Sequence, residues 1–164
     1  MEEQEARLAR SCCFTGHRSS KLPWGGNEAD ARCLELKRKL ADALEELYGQ
    51  GVRHFICGMA TGCDMFFAEA VLALRERRPD VTLEAAIPCE EHGLSERYDR
   101  LLAECDSRTL VSRAYTPECM MRRNRYMVDN AGTVLAVFNG SPGGTFNTLR
   151  YAVGLGRKIV EIEP

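Results

Sequence analysis

Short apolar runs recur along this chain, each separated from the next by a longer stretch of helical periodicity, and this alternation limits the fold more than any other feature. Strands that alternate with helices indicate a mostly parallel sheet covered by helices on its faces. The expected strands are Ser11 to Phe14, Val52 to Cys57, Val81 to Ile87, Thr109 to Val111, Thr133 to Phe138 and Lys158 to Ile162. The expected fold is therefore a Rossmann-like three-layer α/β sandwich with about five to six strands.

The helices between these strands have distinct signatures. Cys33, Leu36, Leu40, Leu44 and Leu47 recur at three- and four-residue spacing, closed by Gly49 and Gly51, and predict a long amphipathic helix. The next, from Asp64 to about Arg77, is apolar on most sides through Met65, Phe66, Phe67, Val71, Leu72 and Leu74, which predicts burial. A third is expected from about Leu94 to Glu104. A fourth is expected to open at Thr116-Pro117-Glu118, with a capping hydroxyl, a proline and a carboxylate in order. The last, Thr145 to about Val153, places Phe146, Leu149 and Val153 on one face before Gly154 and Gly156.

At 164 residues the chain can bury about 70% of its extended surface in one core, so a single domain over residues 11–164 after an N-terminal extension, 1–10, is expected. No apolar run reaches the ~20 residues of a membrane helix, and Met1 to Arg10 lack the apolar core of a secretory signal. A soluble, cytoplasmic protein with no membrane partner is the resulting expectation. The eight cysteines form no C-x-x-C pair, which favours buried reduced thiols over a metal site. A net charge of -2 argues against a generally basic nucleic-acid binder and leaves that role to a local patch.

Ligands of open parallel sheets bind beyond the carboxyl ends of the strands. The segments there are Thr15-Gly16-His17-Arg18, Gly58 to Asp64 with Thr61 and Gly62, Pro88-Cys89-Glu90, and Asn139 to Thr145 with Gly143 and Gly144. Glycine lets a ligand approach the backbone, and the helix start that follows offers free N–H groups and a positive dipole end, so the loop from Gly140 to Thr145 suits a phosphate. Charge-assisted bonds of roughly 1.5 to 3 kcal/mol each must add to that dipole, and Arg18, Arg122, Arg123 and Arg125 are the sources, Arg122 and Arg125 sharing a helix face. His17, Asp64 and Glu90 are candidate catalytic groups. Each also has a structural reading: a hydrogen-bonding histidine, a helix cap, and a carboxylate of unspecified geometry, for which Glu91 is equally placed. Trp24, before Gly25 and Gly26, either stacks on a base or covers the core edge.

Thr15-Gly16-His17-Arg18, Gly58 to Asp64, Arg123-Asn124-Arg125 and Pro142-Gly143-Gly144-Thr145, arriving in this order, resemble the YpsA-like branch of the SLOG superfamily, which unites DprA/Smf with the LOG phosphoribohydrolases. The resemblance covers nearly the whole chain after Ser11. It implies a Rossmann-like fold and a phosphate-binding site for a nucleotide or nucleotide-derived ligand, with ADP-ribose and NAD-like molecules among the candidates and no certain cofactor or metal. LOG enzymes carry P-G-G-x-G-T-x-x-E, whereas Arg150 stands here where their catalytic glutamate falls. DprA-like proteins share the second-strand loop and the Arg-Asn-Arg segment and bind single-stranded DNA.

Binding or sensing of a small nucleotide-like ligand is the leading reading. Its alternatives are N-glycosidic cleavage of a nucleotide and, ranked below these, single-stranded nucleic-acid binding. Self-association into a homo-oligomer is an open expectation.

Overall fold

Side chains on a central strand point alternately to its two faces, and the first strand supplies both layers of core: Cys12 and Phe14 enter one, Cys13 the other. The computed structural model describes residues 1–90 and 95–164. Six parallel strands, β1 (Ser11–Gly16), β2 (His54–Cys57), β3 (Thr82–Ile87), β4 (Ser107–Leu110), β5 (Thr133–Val137) and β6 (Lys158–Ile162), form one sheet in the order β4-β3-β2-β1-β5-β6. The Rossmann-like three-layer α/β arrangement is thereby established.

Three helices cover one face: α2 (Ala31–Gly49), α3 (Cys63–Arg77) and α4 (Glu96–Glu104). Their buried rows, Cys33 to Leu47, Met65 to Leu74, and Tyr98 with Leu101, pack on Phe14, Phe55 and Leu83. Two helices, α5 (Cys119–Asp129) and α6 (Gly144–Gly154), cover the other face through Met127, Val128, Leu149 and Ala152. The chain walks outward from β1 through β2, β3 and β4, then returns to add β5 on the other side of β1. Because parallel crossovers are right-handed, that reversal of direction moves the helices to the opposite face. The loops after β1 and β5 therefore diverge and leave a crevice between them.

The structure departs from several sequence expectations. Residues 2–9, expected only as an extension, form helix α1 (Glu2–Ala9). It is docked by a hydrogen bond from the Gly132 N–H to the Leu8 carbonyl (2.9 Å) and one from the Ser11 hydroxyl to the Arg7 carbonyl (2.8 Å). Strand β4 begins at Ser107, two residues ahead of expectation, because its mostly exposed side chains give no apolar signal. Helix α5 begins at Cys119; the Thr116 hydroxyl does not cap it and is buried with no partner among the described residues, while the Thr116 carbonyl accepts from Cys119 N–H in a turn. On α6 the inward face is Thr145, Thr148, Leu149 and Ala152, whereas Val153 is exposed and Phe146 sits at the rim. The expected start of the third helix, Leu94, lies outside the described residues, as does Glu91; α4 opens with the Ser95 hydroxyl accepting from Tyr98 N–H at 3.1 Å.

Seven of the eight cysteines are buried and Cys105 is half-buried. Among the described residues no three His, Cys, Asp or Glu side chains gather as metal ligands. No helix among the described residues is long and apolar enough to cross a membrane.

Candidate ligand-binding site

A cavity of about 300 Å³ opens at the crevice between the ends of β1 and β5. Thr15, Gly16, His17 and Arg18 line it from the end of β1, Asp64 from α3, Arg123 and Asn124 from α5, and Gly144 and Thr145 from α6. Residues from four separate stretches of sequence thus converge on one space.

His17 is buried, and its Nε2 accepts the Asn139 N–H at 3.0 Å. That bond requires an unprotonated Nε2, which ties the β1 loop to the β5 loop. Burial, aided by the nearby Lys21 charge, lowers the His17 pKa below its ordinary value of 6.5. The ring also lies 5.8 Å from that of Phe138, so His17 reads first as a link between the two loops.

Asp64 is the second residue of α3, and its carboxylate accepts the Ala60 N–H at 3.0 Å, closing the loop after β2. Gly62, at φ +86°, takes the N-cap position, so Asp64 is a loop-closing residue instead of the cap. Burial pushes the Asp64 pKa up to about 6, against the opposing pull of Arg123, the Ala60 N–H and Arg18.

Arg123 is the inward member of the arginine cluster. Only 4% of it is exposed, and its guanidinium donates to the carbonyls of Gly58 and Ala86, the latter at 3.4 Å, while Nε donates to Asn124 Oδ1 at 2.8 Å. The side chain pins α5 to the ends of β2 and β3 and places a positive charge in the cavity wall. A Cβ at Gly58 would lie 2.7 Å from this guanidinium, so the glycine provides the space it occupies. Burial lowers the Arg123 pKa, opposed chiefly by Asp64. Arg122 and Arg125, expected to supply charge together from a shared face, are both exposed and neither lines the cavity.

The remaining expected residues fall around this centre. Gly62 packs beneath Arg18 and Ser19, and Thr61 is exposed outside the lining. Gly143 neighbours Lys21, whose ammonium donates to the Pro142 carbonyl at 2.7 Å and lines the cavity. Lys21 and Ser20 carry no motif and lie beyond the first strand's loop, so sequence reasoning missed them; Met120, on α5, carries no motif either. Glu90, a candidate carboxylate for N-glycosidic cleavage, is exposed and not part of the lining, and its alternative Glu91 lies outside the described residues. Trp24 is 6% exposed within the α2 and α3 core, so it covers the core edge and cannot stack on a base. Among the described residues, Arg18, Lys21 and Arg123 thus share the lining with one carboxylate, Asp64 of α3, beside the start of α6, where the first helical N–H groups have no intrahelical acceptor. This arrangement can hold an anion.

The chain resembles known proteins along most of its length. The profile of the YspA SLOG family matches residues 12–153. YoqJ, an uncharacterized SPbeta prophage-derived protein of Bacillus subtilis strain 168, is 30% identical over 152 residues, 80% of this chain and 89% of YoqJ. Among solved structures, the DNA processing protein DprA of Streptococcus pneumoniae superposes with a TM-score of 0.65 at 15% identity, over 92% of this chain and 49% of DprA. DprA of Helicobacter pylori, described for its single-stranded DNA binding mode, superposes with a TM-score of 0.65 at 14% identity, over 98% of this chain and 67% of its own. The chain therefore spans about half the length of the pneumococcal protein, and identities this low establish the shared fold alone. With 142 residues inside the family profile and a relative matched over most of both chains, this protein belongs to the YspA SLOG family.

Proposed function

We propose that the chain binds the phosphate of a nucleotide or nucleotide-derived ligand in the cavity between β1 and β5. The observation that carries this reading is the convergence of Arg18, Lys21 and the buried Arg123 on the amino end of α6. A buried guanidinium held by backbone carbonyls is already oriented, and the helix end adds oriented N–H groups, so an anion entering the cavity meets donors that need little rearrangement. A cavity of about 300 Å³ lies at the small end of the usual range for ligand pockets, which suits a phosphate with its ribose.

Thermal denaturation with AMP and with inorganic phosphate tests this. Ligand at a hundredfold excess over Kd adds about 2.7 kcal/mol, which for a chain of this size raises Tm by roughly 5–10 °C. Replacing Arg18 and Lys21 together by alanine should abolish most of the shift. No stabilisation at millimolar AMP, with no small molecule co-purifying in native mass spectrometry, sinks the reading.

A second reading, single-stranded nucleic-acid binding, draws support from the fold shared with Helicobacter pylori DprA and from the exposed Arg18, Arg122 and Arg125 around the site. Binding to oligonucleotides that weakens steeply with salt is its expected signature, and an absence of binding at low salt removes it.

A further inference from the structure

Beside the cavity runs a larger groove of about 570 Å³ between α5 and α6. Met120, Asn124 and Gly144 line both spaces, so the groove continues the cavity instead of standing apart from it. Its other walls include Arg125, Asn147, Arg150 and Tyr151, and no carboxylate among the described residues lines it. Neither Arg125 nor Arg150 forms an ion pair among the described residues, although many arginines elsewhere in the chain do.

Both guanidiniums are placed on aromatic rings. Arg125 lies 5.3 Å from the Tyr151 ring centre, and Arg150 lies 5.9 Å from that of Phe146. The Tyr151 ring is itself held by its hydroxyl, which donates to Asp129 at 2.6 Å. Side chains on a helix lean toward its amino end, and Arg150 reaches back over Phe146, one turn earlier on α6. Along the axis of α6, Gly144 and Arg150 are six residues apart, about 9 Å. Neither Arg125 nor Arg150 lines the cavity itself, so an anion they hold is set apart from one at Gly144, a separation that a ribose can bridge and a single pyrophosphate link cannot.

The geometry points to a second anion subsite formed by Arg125 and Arg150, so that the ligand is a nucleotide with two phosphates on opposite sides of its ribose. This rests on the reading of the cavity as the first phosphate site. The amides of Asn124 and Asn147 and the methionine and tyrosine surfaces offer the base and sugar both polar and apolar contacts. Arg150, at the position where a LOG-type glutamate would fall, becomes a ligand-binding side chain.

Calorimetric titration with AMP, ADP and adenosine 3′,5′-bisphosphate tests the assignment, because the last two carry the same number of phosphates at different spacing. The bisphosphate should bind about tenfold or more tightly than either of the others, the effect of at least one charge-assisted contact. The Arg125→Gln/Arg150→Gln variant, changed only at exposed positions, should bring the bisphosphate to the affinity of AMP and leave AMP itself unchanged. AMP binding with no preference for the bisphosphate over ADP overturns the second subsite alone. No binding of any of the three removes the nucleotide reading and this one with it. Affinity that keeps rising through di-, tetra- and hexanucleotides marks a strand track and overturns a bounded two-phosphate site.

Discussion

Replacing Gly62 by alanine should destabilise the protein far more than the same change at Gly140, although both have nearly the same positive φ, +86° and +88°. At Gly62 the new Cβ would lie 2.7 Å from the Ser19 nitrogen and 2.9 Å from the Arg18 Cα, whereas at Gly140 nothing stands within 4 Å. The atoms met at Gly62 are backbone, so no side chain can rotate away. A left-handed or otherwise glycine-favouring conformation costs about 1–3 kcal/mol for alanine at either position. Overpacking at Gly62 adds about 1–3 kcal/mol, for a total of about 2–6. Urea unfolding of both variants, compared at equal m-values, measures the difference directly. The Gly62→Ala variant should also bind AMP more weakly, because relief of the clash displaces Arg18. Equal loss of stability in the two variants would refute the claim that the α3 cap and the Arg18 segment are in enforced contact.

Asp64 holds its proton up to about pH 6 in the folded chain but releases it near 3.8 when unfolded, so its contribution to stability falls by about 3 kcal/mol as pH rises from about 4 to 6. The Asp64→Asn variant should lack that slope when unfolding is followed across the window; parallel pH profiles for the two proteins reject it. His17, with its pKa below 6.5, contributes stability that is complete above about pH 6.5 and is lost as pH falls through its lower folded pKa. An NMR titration of the ring should give a midpoint below 6.5, and a midpoint above that value contradicts the Asn139 contact. Arg123→Lys keeps the charge but cannot reach Gly58, Ala86 and Asn124 together, and should lose about 1.5–3 kcal/mol in chemical denaturation; a change within about 0.5 kcal/mol means the fork is dispensable. Burial pushes the Cys12 and Cys63 thiols up to about 12 and Cys105 to about 11, so alkylation of the native protein at pH 8 should be slow everywhere and fastest at half-buried Cys105. Rapid labelling of Cys63 would contradict its burial.

The layers of this fold were legible wherever burial left a periodic mark. Leu36, Leu40, Leu44 and Leu47 announce α2 because one face of a helix repeats every three or four residues. Strand β4 leaves no such mark, because an edge strand with exposed residues has no reason to be apolar. Glycine-rich segments located the cavity, since they mark close approach of backbone at strand ends. The choice among Arg122, Arg123 and Arg125 was not legible: three nearby cations look alike in sequence, and only the packing of α5 on β2 and β3 decides which one turns inward. Lys21 was hidden for a different reason, being brought to Pro142 across 121 residues of chain by the β1 and β5 pairing.

The position of β1 between β2 and β5 also governs when the molecule becomes complete. Gly16 pairs with Val137, so a chain emerging from the ribosome can lay down β1 to β4 while one side of β1 stays open. That open edge can pair with another chain until β5 arrives. The walls from α5 and α6 come late as well, which means the nascent protein has no cavity to fill. Any ligand of this site acts on finished molecules: it can hold them folded, but it cannot guide the early steps of their folding.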